Sequence, residues 1–122
     1  MAEINSAGYD ELRKAIDPNE THQDFNVHEL LDDNNSQIVR ASTSDSTVEV
    51  SSATAANPFT LKSTIDGSDS RISLPQTFAG SRVFRADTNG ENVTAIESHT
   101  NVTLESTDDQ IVVEHDVEVP QI

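Results

Sequence analysis

The last segment of the chain constrains the fold most, because apolar and charged side chains alternate along residues 110–119. Side chains alternate across a β-strand, so this pattern predicts a long strand with one dry face and one charged face. Such a strand is stable only in a sheet whose dry face is covered. The dry face carries four aliphatic residues with a histidine in register among them: Ile111, Val113, His115, Val117 and Val119.

Shorter stretches of β-type pattern precede the last segment and are separated by turn signals. Asp and Asn clusters at 32–35 and 66–69 favour turns, and Asn89-Gly90 favours a hairpin. Around eight short strands, with turns about every 8–12 residues, predict an antiparallel β-sandwich or barrel. The predicted strands cover residues 25–31, 37–41, 47–50, 58–65, 77–86, 91–97 and 101–104, with Ile72 and Leu74 alternating before Pro75.

Residues 1–16 are the one helical candidate. Ser6 is the expected N-cap, and Tyr9, Leu12 and Ile16 share one face. The residue before Pro18 avoids the α region, so the helix should end at about residue 16. A short helix with a narrow apolar stripe is marginal alone and must pack on something. We therefore divide the chain into an N-terminal helical arm, residues 1–24, and an antiparallel β-domain, residues 25–122.

The formal net charge is −15, from 22 Asp and Glu against 7 Lys and Arg. A charge this negative repels phosphates and anionic lipids, so we expect neither nucleic acid nor membrane as a partner. Disorder and a bound metal are competing explanations, but the alternating apolar runs argue against disorder. We favour a halophilic protein, because molar salt shortens the Debye length to about 3 Å and removes most self-repulsion.

The chain has no cysteine, and no apolar run approaches the length of a membrane span. No secretory signal is recognisable near the N-terminus, because residues 1–16 carry acids and lack an apolar core. We expect a product that is made and assembled in the cytoplasm.

No motif in the sequence predicts catalysis, a cofactor or a metal site. Acid clusters at 32–33, 66–69, 87–92 and 108–109 are typical of solvated hairpin turns rather than cation loops, and none matches an EF-hand. The four histidines, His22, His28, His99 and His115, show no zinc-like spacing. His115 lies on the apolar face of its strand and is predicted to be a satisfied core or interface histidine.

Three arginines, Arg71, Arg82 and Arg85, lie close together in the sequence of an acidic chain. Guanidinium groups pair with carboxylates, so these residues either bridge acids of the same molecule or dock an acidic neighbour, such as another copy.

The second half of the chain resembles the C-terminal β-module of small structural proteins of tailed phages. The resemblance rests on ISLPQTFAG at 72–80, on Val83-Phe84 and the Asn89-Gly90 turn, and on VTL at 102–104 followed by DDQIVV at 108–113. The opening NSAG at 5–8, before a short helix, is similar to such proteins as well. With the acidic bias, the chain resembles a virion protein of a haloarchaeal tailed virus. The resemblance implies a capsid decoration, turret or tail component without catalytic residues.

These observations lead to a non-enzymatic virion structural protein that forms a homo-oligomer and assembles on a capsid or tail partner. We expect Tyr9, Leu12 and Ile16 to dock that partner, because an apolar stripe on a short helix needs a groove to receive it. The alternative is a β-sandwich binding module for carbohydrate, a host surface or calcium. A carboxylate-pair hydrolase is the third hypothesis and requires two acids converging in a cleft.

Overall fold

A computed structural model describes residues 3–21, 24–51, 59–85 and 91–117 and shows an antiparallel β-sandwich with one short N-terminal helix. The chain order is α1 (Ser6–Ile16), β1 (Phe25–Leu31), β2 (Gln37–Ser42), β3 (Val48–Ser51), β4 (Phe59–Asp66), β5 (Gln76–Arg85), β6 (Glu97–Leu104) and β7 (Gln110–Val117). The prediction of a mainly β fold is confirmed, and of its two forms the sandwich is correct, not the closed barrel.

The sandwich consists of a four-stranded sheet in the order β2-β1-β5-β6 and a three-stranded sheet in the order β3-β4-β7. All of the paired strands are antiparallel. The central strand β5 pairs with β1 on one side and with β6 on the other, and its pairing with β6 shifts register between Phe78 and Gly80. This register shift determines which of the β5 side chains after Gly80 point between the sheets.

Strand β7 confirms the alternation that the sequence predicts over its described part. Ile111, Val113, His115 and Val117 are buried, whereas Val112 and Glu114 are exposed. Val119 and Glu118 lie outside the described residues. The buried aliphatic residues of β7 belong to a thin core of two clusters, one around Leu30, Ile65 and Phe78 and the other around Leu61, Val83 and Val93.

The helix begins one residue earlier than predicted, because its N-cap is Asn5 and not Ser6. The Asn5 side chain accepts a hydrogen bond from the Gly8 N–H (3.0 Å), which satisfies one of the unpaired donors of the first turn. At the other end the helix stops at Ile16, directly before Asp17 and Pro18, as the sequence predicts.

The described part of the arm is fixed to the β-domain by backbone contacts. The Asn5 N–H donates to the Val93 carbonyl (2.9 Å), and the Ala95 N–H donates to the Glu3 carbonyl (2.9 Å). A Cβ atom at Gly8 would collide with the Val93 carbonyl, so only glycine permits this approach. The helix therefore packs directly on the segment that leads into β6.

The predicted strand over residues 91–97 is wrong. Only isolated bridges occur there, pairing Asn92 with Phe84 and Thr94 with Ile4, and β6 begins at Glu97. The segment divides its backbone hydrogen bonds between β5 and the N-terminal residues, so no continuous ladder forms. Ile72 and Leu74 also precede β5 outside any strand, and the predicted Asn89-Gly90 hairpin lies outside the described residues.

Within the described ranges, α1 is the only helix, and it is too short to cross a membrane.

Candidate functional site

A buried polar cluster lies between the two sheets, in the middle of an otherwise apolar core. We call it the histidine cluster; its members come from both sheets and from the segment before β6, and they are His28, Ser63, Ser81, Thr94, Glu97, His99 and His115. His28 and His115 are fully buried, and their ring centroids lie 6.0 Å apart. The prediction that His115 is a satisfied core residue is confirmed.

Hydroxyl groups join the rings of the histidine cluster. Ser81 Oγ lies 2.8 Å from His115 Nδ1 and 2.8 Å from His99 Nε2, and Thr94 Oγ1 lies 3.1 Å from His115 Nε2. His28 Nδ1 lies 2.7 Å from Ser63 Oγ. A hydroxyl has one proton, so the Ser81 O–H donates to one imidazole and its oxygen accepts from the other.

Burial keeps both inner histidines neutral. It lowers the pKa of His28 from 6.5 to about 3, and the nearby His115 and His99 add to this effect. Burial also lowers the pKa of His115 to about 4, although Glu97, whose Oε2 is 3.5 Å from His115 Nδ1, favours the charged form. Desolvation therefore outweighs the neighbouring carboxylate.

The geometry of the histidine cluster suits a structural link between the sheets. Ser81 contacts two imidazoles as an activated nucleophile would, but its side chain is fully buried, and a nucleophile must reach its substrate. His28 Nε2 is buried without a hydrogen-bond partner in the part of the chain that the structure describes. In the same ranges, no three His, Cys, Asp or Glu residues are placed to hold a metal ion.

A small cleft opens between β6 and β7, next to His99. Its accessible volume is about 100 Å³, and its walls include Phe78, Val102, Ile111 and Glu114. Ligand pockets usually measure about 300–1,000 Å³, so this cleft has room for about one side chain and not for a sugar ring with its contacts.

The structure separates the three helix residues that the sequence groups as docking residues. Tyr9 and Ile16 are exposed, at 51% and 85%. Leu12 is partly buried and packs against the core cluster that contains Leu61 and Val83, so it anchors the helix instead of pointing outward.

The three arginines of the predicted patch lie in separate places. Arg71 belongs to the loop after β4 and pairs with Asp69 (2.7 Å) and Asp45 (3.0 Å). The Arg71 guanidinium, through its hydrogen bond, holds the pKa of Asp69 below its usual range. Arg71 is thus an intramolecular bridge between two turns.

Arg85, at the end of β5, pairs with the helix. Its Nη1 lies 2.7 Å from Glu11 Oε1, and Glu11 is only 2% exposed although it is an acid on a surface helix. A second acid, Glu91, lies 3.3 Å from Nη2. Arg85 therefore links α1 to the four-stranded sheet.

Arg82 is part of a row of charges that crosses three strands on the outer face of the four-stranded sheet. Glu29 on β1 is in register with Arg40 on β2 and with Arg82 on β5. Glu29 Oε1 accepts from Arg82 Nε (2.7 Å), and Oε2 accepts from Arg40 Nε (2.8 Å). The Glu29 carboxylate is completely buried beneath the two guanidiniums. We call Arg40 and Arg82 the arginine pair.

The arginine pair also stacks on an aromatic ring. The guanidinium carbons of Arg40 and Arg82 lie 4.0 Å and 5.1 Å from the ring centroid of Phe84. Cation–π attraction of this kind contributes about 0.5–1 kcal/mol at exposed sites and more when the cation is partly desolvated. Neither Arg40 nor Glu29 was predicted from the sequence, although an acid within the apolar strand over 25–31 indicates a buried charge that needs a cation.

The acids of the turns are used as hydrogen-bond acceptors for backbone N–H groups. Asp32 Oδ1 accepts from Asn34 and Ser36 (2.8 and 2.9 Å), and Asn35 in that turn has a φ of 60°. Asp109 Oδ2 accepts in the same way at the turn before β7. These geometries agree with the interpretation of the acid pairs as turn residues.

No protein-family model, no curated protein and no solved structure matches this chain. A proposal for its function therefore rests on the fold and on the buried and exposed groups of the described residues.

Proposed function

We propose that this protein is a non-enzymatic virion structural protein, a capsid decoration, turret or tail component of a haloarchaeal tailed virus. It assembles in the host cytoplasm as a homo-oligomer and attaches to a capsid or tail partner. The architecture supports this role because its buried polar groups connect the sheets, while its exposed apolar groups are available for contact.

The observation that carries the proposal is the pair of large apolar side chains exposed on an anchored helix. Tyr9 and Ile16 are seven residues apart, so they lie on nearly the same side of α1, two turns from each other. The helix is fixed to the β-domain through Leu12, which borders this side, and through the Glu11–Arg85 ion pair on the opposite side. A preorganised helix loses little conformational freedom on docking, which favours binding in an apolar groove.

The test uses point variants, because deletion of the arm would remove Ile4 and Leu12 from the core. The double variant Tyr9→Ala/Ile16→Ser should fold normally but bind to virus particles at least about tenfold less, because each side chain loses apolar contact area. Particles assembled with each variant are purified, and bound protein is quantified by mass spectrometry.

Val50→Ser is the matched control, since Val50 is 49% exposed but lies on strand β3. Its occupancy should equal that of the wild type. Full occupancy of the double variant would refute helix docking, and absence of the wild-type protein from particles would refute the virion role itself.

A further inference from the structure

The two outer faces of the sandwich differ in charge. The chain has 7 Lys and Arg, all within the described residues. Five of them each form an ion pair with at least one acid, and the acids in these pairs are at least as numerous as the five cations. At the arginine pair, in contrast, two cations share the single carboxylate of Glu29. This outer face is therefore the place in the described ranges where paired cations outnumber their acids.

The arginine pair has donors left for a further carboxylate. Arg82 bonds to Glu29 through Nε, so its terminal amino groups are not used by that carboxylate. The side chains of Arg40 and Arg82 are 38% and 28% exposed. Glu29 and Phe84 hold both guanidiniums in place, and Ile96, 39% exposed, approaches Gly80 on the same sheet.

The outer face of the three-stranded sheet has the opposite character. Glu49, Lys62 and Glu114 are in register across β3, β4 and β7, so two acids flank one lysine. They surround a shallow depression of about 300 Å³. Val112, 49% exposed, lies two residues from Glu114 on the same face of β7 and offers apolar contact beside the acids.

We propose that copies of this chain associate head to tail, with the arginine pair of one copy binding the Glu49–Glu114 face of the next. A symmetric contact would place arginine pair against arginine pair, or acid against acid, and like charges in contact are unfavourable. A heterologous contact matches opposite charges and continues into a ring or filament. This inference deepens the proposed assembly function by naming the contact between copies.

The small area of the two faces limits the strength of this contact. Strands are about 4.8 Å apart, so a face three or four strands wide and about 20 Å long covers roughly 300–400 Å². Two such faces bury less than a standard protein–protein interface, so the association is weak in solution and strengthens where copies are concentrated, as on a particle.

The experiment compares wild type, Arg82→Gln and Glu114→Arg by sedimentation velocity over a wide concentration range, at about 0.15 M and about 1 M salt. Glutamine keeps an N–H donor for Glu29, which favours folding, and circular dichroism verifies the fold. The wild type should grow in mean mass with concentration. Each variant should need at least about tenfold higher concentration, because it removes one charged partner.

Mixing the two variants provides the sharpest readout. Arg82→Gln retains the acidic face and Glu114→Arg retains the arginine pair, so an equimolar mixture should form a complex that stops at two chains. Arg13→Gln and Glu105→Arg make the same charge changes at exposed sites away from both faces and should associate like the wild type.

A wild type that remains monomeric at every concentration and in both salts would overturn the head-to-tail contact, as would variants that associate like the wild type. Binding of polyglutamate by a monomeric wild type would overturn it in favour of a different acidic partner. None of these results affects detection of the protein on particles, so failure of this contact is distinguishable from failure of the proposed function.

Discussion

The histidine cluster and the arginine pair accommodate buried ionisable side chains in opposite ways. Both bury ionisable side chains in a small β-sandwich, but the histidines are kept neutral, whereas Glu29 is surrounded by two positive charges. Neutral rings need only hydroxyl partners, which Ser63, Ser81 and Thr94 supply. A buried carboxylate needs cations. The stability that the histidine cluster contributes therefore depends on pH. The stability of the buried Glu29 carboxylate depends on its arginine partners.

The largest effect is expected when the arginine pair is removed. Arg40→Ala/Arg82→Ala leaves the fully buried Glu29 without either ion-pair partner. Breaking such a pair on one side costs about 3–5 kcal/mol in the free energy of unfolding. Urea titration measures this loss. Adding Glu29→Met should recover most of it, and a triple variant as unstable as the double would show that packing on Phe84, not charge, dominates.

The histidine cluster should make stability fall in mild acid. His28 and His115 have folded pKa values of about 3 and about 4, below the ordinary 6.5, so the unfolded chain binds protons first. Their stabilisation is complete above about pH 6.5 and is lost as the pH falls towards these folded values. At pH 5 the loss is about 2 kcal/mol for each histidine relative to pH 7.

Urea titrations between pH 7 and 5 measure this slope, and His28→Gln should reduce it by about half. Asp69 does not contribute in this window, because its lowered pKa affects stability only below the ordinary value of 3.8. The same slope in wild type and variant would contradict the assignment of the pH dependence to His28.

The smallest effect is expected at Arg71, because none of the charges it pairs with is completely buried as Glu29 is. Arg71 and its partner Asp45 are about one-third exposed, so Arg71→Ala should cost at most about 1 kcal/mol. Thermal unfolding at low and high salt measures the change, which should shrink as salt increases. A loss as large as that of the arginine double variant would remove the distinction between exposed and buried ion pairs.

Local pattern was sufficient for the fold class and for most of the strands. The alternation in β7 and the turn at Asn35 depend on neighbours in sequence, and both are confirmed. The arginine pair depends on the register of three strands, and its central acid and Arg40 are far apart in sequence from Arg82. The histidine cluster likewise joins residues from five strands and one connecting segment. Such contacts arise from packing, which sequence periodicity does not encode.

The register of β5 affects how reliably the chain reaches one fold. Ser81 points to the interior and Arg82 points outward, each held by partners on other strands. Sliding the strand by a single position would insert a guanidinium between the sheets, and it would deprive Glu29 of Arg82 and His115 of the Ser81 hydroxyl. A core built from few large side chains discriminates poorly between alternative strand registers. The polar partners of Ser81 and Arg82 therefore destabilise a shifted register of β5 relative to the native one.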